Sequence, residues 1–114
     1  MPEITDAALL SALRRQMTIA VAKQVAAAGN LANVDTPGYK AVEPTFAEAL
    51  DGQLSSADIR MQEVTGLEER RDGNTVQLDR ELLAMGRAAG DFSAAQTALA
   101  AKFRLIRYAI NEGK

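Results

Sequence analysis

The sequence predicts a mainly α-helical protein, in which long N- and C-terminal helices pair as an antiparallel coiled coil around a short, irregular or weakly β middle segment. Helix-forming residues dominate 7–33, and apolar residues recur at helical spacing across 78–110. The intervening segment is short and acidic and lacks both features. We therefore divide the chain into an N-terminal helix and loop (1–40), a middle segment (41–77) and a C-terminal helix (78–114).

The first helix is expected over residues 7–33, with Asp6 as its N-cap. Its apolar stripe begins at Leu10, Leu13 and Met17, which are spaced three and four residues apart. The same spacing continues more weakly to Leu31. This stripe is the predicted contact face toward the C-terminal helix.

The exit from this helix is marked by a proline followed by a glycine. Pro37 has no backbone N–H and favours an extended Thr36, and Gly38 can adopt the positive φ that a type II turn requires at its third position. Asn30 and Asn33 have short side chains that bond readily to nearby backbone groups. The chain is therefore predicted to turn sharply at 36–39.

The middle segment has the weakest pattern. Residues 41–50, which include Phe46, are compatible with a short helix, and residues 57–64 fit a helix or a strand. The Asp72-Gly73-Asn74 sequence predicts a turn before Val76. Short strands and irregular structure both remain open for this segment.

The second long helix has a stronger stripe, which alternates spacings of four and three over more than four heptads. A helix of this extent would be about 50 Å long at 1.5 Å per residue. An antiparallel return against the first helix would give the two a shared seam. The predicted seam residues of this helix are Leu78, Leu82, Met85, Ala89, Phe92, Gln96, Leu99, Phe103, Ile106 and Ile110.

Composition argues against an enzyme. The 114 residues include no histidine and no cysteine, which removes the commonest general base, thiolate nucleophiles and disulfides. The sequence contains no phosphate-binding glycine loop, zinc spacing or calcium loop. We therefore predict no catalytic residues, no cofactor and no metal site. Neither a secretory signal nor a membrane-spanning segment is expected.

Charge is distributed unevenly along the chain. Residues 43–72 contain eight acidic and three basic residues, whereas 102–114 contain four basic and one acidic. The basic end, with Phe103 and Tyr108 among its cations, has some features of a nucleic-acid patch. The short run and the net charge of −2 argue against that interpretation. A solvated or partner-facing helix end is favoured, and no nucleic-acid partner is expected.

Long stretches of both helices lack a charged face. Residues 92–101 contain no charged residue, and 17–34 contain only Lys23. Helices of this kind are normally buried all round, which one partner helix in a hairpin cannot achieve. Ala94, Ala98 and Ala101 would allow further helices to approach closely. We therefore expect other chains to cover these faces.

The helix exit also carries a family signature. Its sequence resembles the motif near the N-terminus of bacterial flagellar basal-body rod and hook proteins. The residues that carry the resemblance are Asn30, Ala32, Asn33, Thr36, Pro37, Gly38 and Tyr39. The short length and the sequence of 72–81 are most similar to the proximal rod type, although the other short rod protein of the family remains an alternative.

The resemblance implies a structural subunit that self-assembles in the basal-body rod and serves motility. The partners would be further copies, other flagellar rod proteins and base-of-rod, membrane-ring and export-gate components, with no small-molecule substrate. The chain would leave the cell through the type III export channel without a cleaved signal peptide and reside in the periplasm-spanning rod. The signature residues would fix the helix exit and contact the next subunit.

A second interpretation belongs to another class. A soluble helical adaptor or export chaperone would bind a partner's amphipathic helix in a groove. It would use the same heptads but fold completely alone. A small enzyme is a more distant third hypothesis, which a deep pocket with converging carboxylates would favour.

Overall fold

The computed structural model describes residues 6–46 and 58–112. Its elements are α1 (Asp6–Ala32), β1 (Val42–Phe46), β2 (Ile59–Glu63) and α2 (Leu78–Glu112). The two long helices flank a small antiparallel sheet, which confirms the predicted mainly α class with a weakly β middle. The molecule is elongated, measuring 69 × 26 × 25 Å.

The two helices run antiparallel along the long axis. Near the start of α1, Asp6 forms an ion pair with Lys102 of α2, at 2.5 Å. Further along, Gln16 Nε2 donates a hydrogen bond of 2.9 Å to the carbonyl oxygen of Asp91. The end of α1 lies beside the start of α2, where both helices line one cleft. The predicted antiparallel pairing is therefore observed within one chain.

The contact between the helices is built largely from alanine. On α1, Leu13, Ala20 and Ala27 are buried, and Leu10 and Met17 are half-buried. All of these belong to the predicted stripe or its continuation. Small side chains let two helix backbones approach closely, so the core contains few large side chains.

On α2 the buried stripe is displaced from the predicted one. Met85, Phe92 and Leu99 are half-buried as expected, but the intervening positions differ by one residue. Glu81, Ala88 and Ala95 are buried, whereas their neighbours Leu82, Ala89 and Gln96 are exposed. The helix is rotated so that Ala88 and Ala95, rather than Leu82 and Ala89, lie in the contact with α1.

Several predicted seam residues therefore lie outside the intrachain contact. The apolar surface of α2 is wider than one neighbouring helix can cover, and the rotation that buries Ala88 and Ala95 turns the other flank outward. Apolar residues at alternating spacings of three and four define a stripe on α2, but this spacing does not show which side of the stripe packs against α1. The exposed members are Leu78, Leu82, Ala89, Gln96, Phe103, Ile106 and Ile110.

The far end of α2 extends past the contact with α1. Because Lys102 pairs with Asp6, the first described residue, residues 103–112 continue beyond it for about 15 Å. Every residue in this stretch is exposed. We call residues 103–112 the overhang.

The middle segment forms a two-stranded antiparallel sheet. Val42 pairs with Glu63 and Phe46 with Ile59, and β1 packs on α1. The alternative of a short helix over 41–50 is wrong at 42–46, where Pro44 in the third position of a five-residue β1 disfavours a helix interior and Val42 and Thr45 favour an extended backbone. Residues 47–50 lie outside the described residues. The ambiguous segment 57–64 contains β2.

Candidate functional site

The exit from α1 is held by a second segment that lies far away in the sequence. The loop 33–41 packs against residues 69–76, and the two are joined by main-chain and side-chain hydrogen bonds. We call this pair of segments the clasp. It contains most of the signature residues, and its geometry follows from the turn chemistry of both segments.

The predicted type II turn is present in the first segment. Tyr39 N donates to the carbonyl oxygen of Thr36 at 3.2 Å, and Gly38 has a φ of 77°. Gly38 N also donates to the carbonyl oxygen of Asp72 at 2.7 Å, which ties the turn to the other segment. The turn is thus part of a tertiary contact.

Asn74 occupies the centre of the clasp and is fully buried. Its Nδ2 donates to the carbonyl oxygens of Asn33 (2.9 Å), Val34 (3.1 Å) and Thr36 (2.9 Å). These three carbonyl groups follow the last residue of α1, and the two N–H groups of the amide are shared among them. Its Oδ1 accepts a hydrogen bond of 2.7 Å from Val76 N.

The predicted turn at 72–74 places this amide. Asn74 N donates to Asp72 Oδ1 at 3.0 Å, and Gly73 has a φ of 84°. A Cβ atom at Gly73 would lie 3.4 Å from Gly38 Cα, so the two turns pack glycine against glycine. The turn was predictable from the sequence, whereas the partners of Asn74 were not.

Asn30 joins α1 to β1. It is fully buried, its Nδ2 donates to the carbonyl oxygen of Val42 at 2.9 Å, and its Oδ1 accepts from Val42 N at 3.0 Å. This pair of bonds resembles the two N–H···O bonds that facing residues of paired antiparallel strands form with each other. Tyr39 Oη lies 3.5 Å from the same oxygen. Asn30 therefore fixes the direction in which the chain leaves the turn.

The other signature residues divide between the interior and the surface. Asn33 Nδ2 donates to the carbonyl oxygen of Gly29 at 2.9 Å, and its Oδ1 accepts from Thr36 Oγ1 at 3.1 Å. Ala32, Pro37 and Gly38 are exposed. The structure thus brings Asn30, Asn33, Thr36 and Tyr39 into one local network.

Further bonds close the clasp. Thr75 N donates to the carbonyl oxygen of Tyr39 at 3.0 Å, and Thr75 Oγ1 accepts from Ala41 N at 2.9 Å. Lys40 Nζ donates to both Glu69 Oε1 and the carbonyl oxygen of Gly73, each at 2.7 Å. Arg70 donates to the carbonyl oxygen of Val34. The middle segment is therefore anchored directly to the helix exit.

A cleft of about 270 Å³ lies beside the clasp, where α1, β1 and the start of α2 meet. Glu81, 2% exposed, lines it and pairs with Arg80 Nη1 at 2.8 Å, and Arg80 also lies 3.5 Å from Glu43. These contacts link α2 to β1. Among the described residues, no group of three or more acidic, histidine or cysteine side chains is arranged to hold a metal ion.

Large apolar side chains are exposed at both ends of α2. At its start, Leu78, Leu82 and Leu83 are each more than half exposed. In the overhang, Leu105, Tyr108 and Ile110 are about two-thirds exposed. Between the two ends, the exposed surface consists of small or polar residues such as Ala89, Ala94 and Ala98.

None of the helices in the described part of the chain is long and apolar enough to cross a membrane. A comparison of the sequence with profiles of known protein families found no match, and neither did a comparison with curated proteins.

Proposed function

We propose that this protein is a structural subunit of the bacterial flagellar basal-body rod, of the proximal type, and that its function is assembly. The signature residues support the family, and the paired terminal helices fit a subunit that packs side by side with others. The chain would contribute its helices to the wall of the axial tube. Its partners would be further copies, other rod proteins and the components at the base of the rod.

The observation that carries this proposal is the uncharged surface that α2 leaves exposed. Ala94, Ala98 and Ala101 face solvent in the single chain, and the overhang exposes large apolar side chains. Monomeric proteins rarely expose several large apolar side chains close together, and such surface usually marks an interaction site. Alanine on that surface would let a neighbouring helix approach closely.

Folding of the helices and of the clasp would accompany assembly after export. A poorly folded chain would pass the export channel and order its helices as it joins neighbouring subunits, so that burial between subunits offsets the entropy lost. The clasp would then fix the angle between α1 and the middle segment. The exposed Pro37 and Gly38 would be available for contact with the next subunit.

An Ala98→Glu substitution tests the proposal. The gene would replace its counterpart in a motile bacterium, and swimming in soft agar and isolated basal bodies would be scored. We expect loss of rods and of swimming, because a buried carboxylate opposes lateral packing. Ala12→Glu, on an exposed position of α1, is the control and should swim. Normal swimming of the Ala98→Glu strain would contradict the argument from the uncharged face.

The helical adaptor or export chaperone remains a second candidate because the clasp network closes within one chain. Circular dichroism and light scattering across a wide concentration range separate the two. A monomer with little helix that gains helix on association supports the rod subunit. A monomer that is strongly helical and melts cooperatively supports the adaptor, since its heptads would be satisfied without other copies.

A further inference from the structure

The two ends of α2 differ in charge as well as in position. The described residues of 33–77, which include the clasp, contain seven acidic and four basic residues, a net charge of −3. Residues 102–112 have three basic and one acidic, a net charge of +2. Asp79 lies among the exposed leucines at the start of α2, and Arg104 and Arg107 lie among the exposed apolar residues of the overhang.

We propose that the overhang of one copy docks against the start of α2 and the clasp of a second copy, head to tail. Leu105 and Tyr108, which lie one turn apart on α2, would meet Leu78, Leu82 and Leu83 of that second copy. This inference rests on the proposed function as an assembly subunit and names the surfaces and the partner.

Charge complementarity identifies a second copy as the occupant. Arg104 and Arg107 are exposed and form no ion pair with the described residues, and the same holds for Asp35 and Asp79. Of the acidic side chains in the clasp, Glu69 and Asp72 are paired within the chain, which leaves Asp35 for contact with another copy. Opposite charges at the two ends would steer and orient a contact between copies, although rim charges are screened by salt.

The geometry makes this contact open-ended. The overhang and the start of α2 are different surfaces at opposite ends of a long molecule. Each pair of docked copies therefore leaves one overhang and one α2 start without a partner. A heterologous contact of this kind adds copies in a line unless a rotation closes it into a ring. Self-association would therefore extend with concentration rather than stop at a dimer.

A charge-swap experiment with the full chain tests the proposal. One variant carries Arg104→Glu and Arg107→Glu, and the other carries Asp35→Lys and Asp79→Lys. Sedimentation velocity would follow each alone, an equal mixture of the two, and wild type in low and high salt. We expect each variant alone to associate at least about tenfold more weakly than wild type, and the mixture to recover association. Arg14→Glu with Arg87→Glu is the control and should match wild type.

Two results would overturn the inference. One is wild-type association by both variants, and the other is a mixture no more associated than its components. Circular dichroism of each variant shows whether the fold is retained. Failure of this inference is distinct from failure of the proposed function: wild-type chains that associate regardless of the swaps would still fit a rod subunit, whereas swimming of the Ala98→Glu strain would not. A wild-type chain that stays monomeric at millimolar concentration would exclude a second copy as the occupant.

Discussion

At the scale of single residues, the side-chain amide of Asn74 forms hydrogen bonds with main-chain groups of two segments that no sheet or helix joins. Its Nδ2 donates toward three carbonyl oxygens at the exit of α1 while its Oδ1 accepts from Val76 N. Only an amide has both donors and an acceptor at that reach. An apolar side chain would leave the N–H of buried Val76 without its acceptor and would remove the bonds that tie residues 72–76 to the α1 exit.

Replacing Asn74 by alanine should destabilise the chain by about 1–3 kcal/mol, because the N–H of buried Val76 would lose its acceptor and the amide's bonds to the α1 exit would be lost. Asn74→Asp should be similarly harmful at neutral pH, since a carboxylate can accept from Val76 N but cannot donate. Urea unfolding would give both values. Asn111→Ala, at an exposed position of α2, is the control and should change stability by less than about 0.5 kcal/mol. A comparably small loss for Asn74→Ala would show that the clasp contributes little.

Alanine substitutions at Gly38 and Gly86 are expected to change the stability of the chain in opposite directions. Gly38→Ala should destabilise by about 1 kcal/mol because its φ of 77° is unfavourable for a residue with a Cβ atom. Gly86→Ala should stabilise by about 0.5–1 kcal/mol, since that position is helical and nothing lies within 4 Å of the added Cβ. Thermal unfolding of both variants checks the signs. Equal effects at the two sites would contradict the proposed role of the turn.

At the scale of residues, the sequence predicted the local backbone geometry but not the hydrogen bonds between segments that are far apart in the chain. The turn at 36–39 and the turn at 72–74 follow from Pro-Gly and Asp-Gly chemistry, and both are observed. The bonds from Asn30 to Val42 and from Asn74 to the α1 exit depend on how segments meet in space. The Asp72-Gly73-Asn74 sequence predicted the turn, but it did not predict which carbonyl groups the Asn74 amide would bond.

At the scale of elements, the helix boundaries were predictable and the helix rotation was not. The expected first helix at 7–33 agrees with α1 to within a residue at each end, and the expected second helix begins at Leu78, as α2 does. The seam differs because Leu82 and Glu81 compete for the inward position. The sequence pattern favours the leucine, whereas in the structure Leu82 is exposed and Glu81 is buried and paired with Arg80, which also pairs with Glu43.

Leucine substitutions at adjacent positions of α2 test this rotation. Ala88 is fully buried, so Ala88→Leu should destabilise by about 1–3 kcal/mol through overpacking. Ala89 is exposed, so Ala89→Leu should change stability by less than about 0.5 kcal/mol. Urea unfolding of both variants and wild type at equal chain concentration gives the comparison. The reverse order would show that the seam predicted from the heptads is the one the chain uses.

At the scale of the whole molecule, the sequence anticipated surface that one chain cannot cover. The lack of charge over 92–101 predicted faces in need of partners, and Ala94, Ala98 and Ala101 are indeed exposed in the single chain. The overhang could not be anticipated in the same way. Its existence depends on where α1 begins against α2, which is fixed by the alanine contacts and the Asp6–Lys102 pair.

Truncation after Lys102 separates folding from assembly at this scale. Residues 103–112 are exposed throughout, so their removal takes no packing away from the single chain and should leave the helix content of the monomer unchanged. Self-association should be lost, because the exposed apolar side chains of the overhang and its two arginines would be gone. Circular dichroism and sedimentation of the same sample measure both properties, with the intact chain at a concentration where it is monomeric as reference. A helix content below that of the monomeric intact chain would mean that the overhang packs on its own chain, whereas undiminished association would mean that copies meet along the sides of the helices.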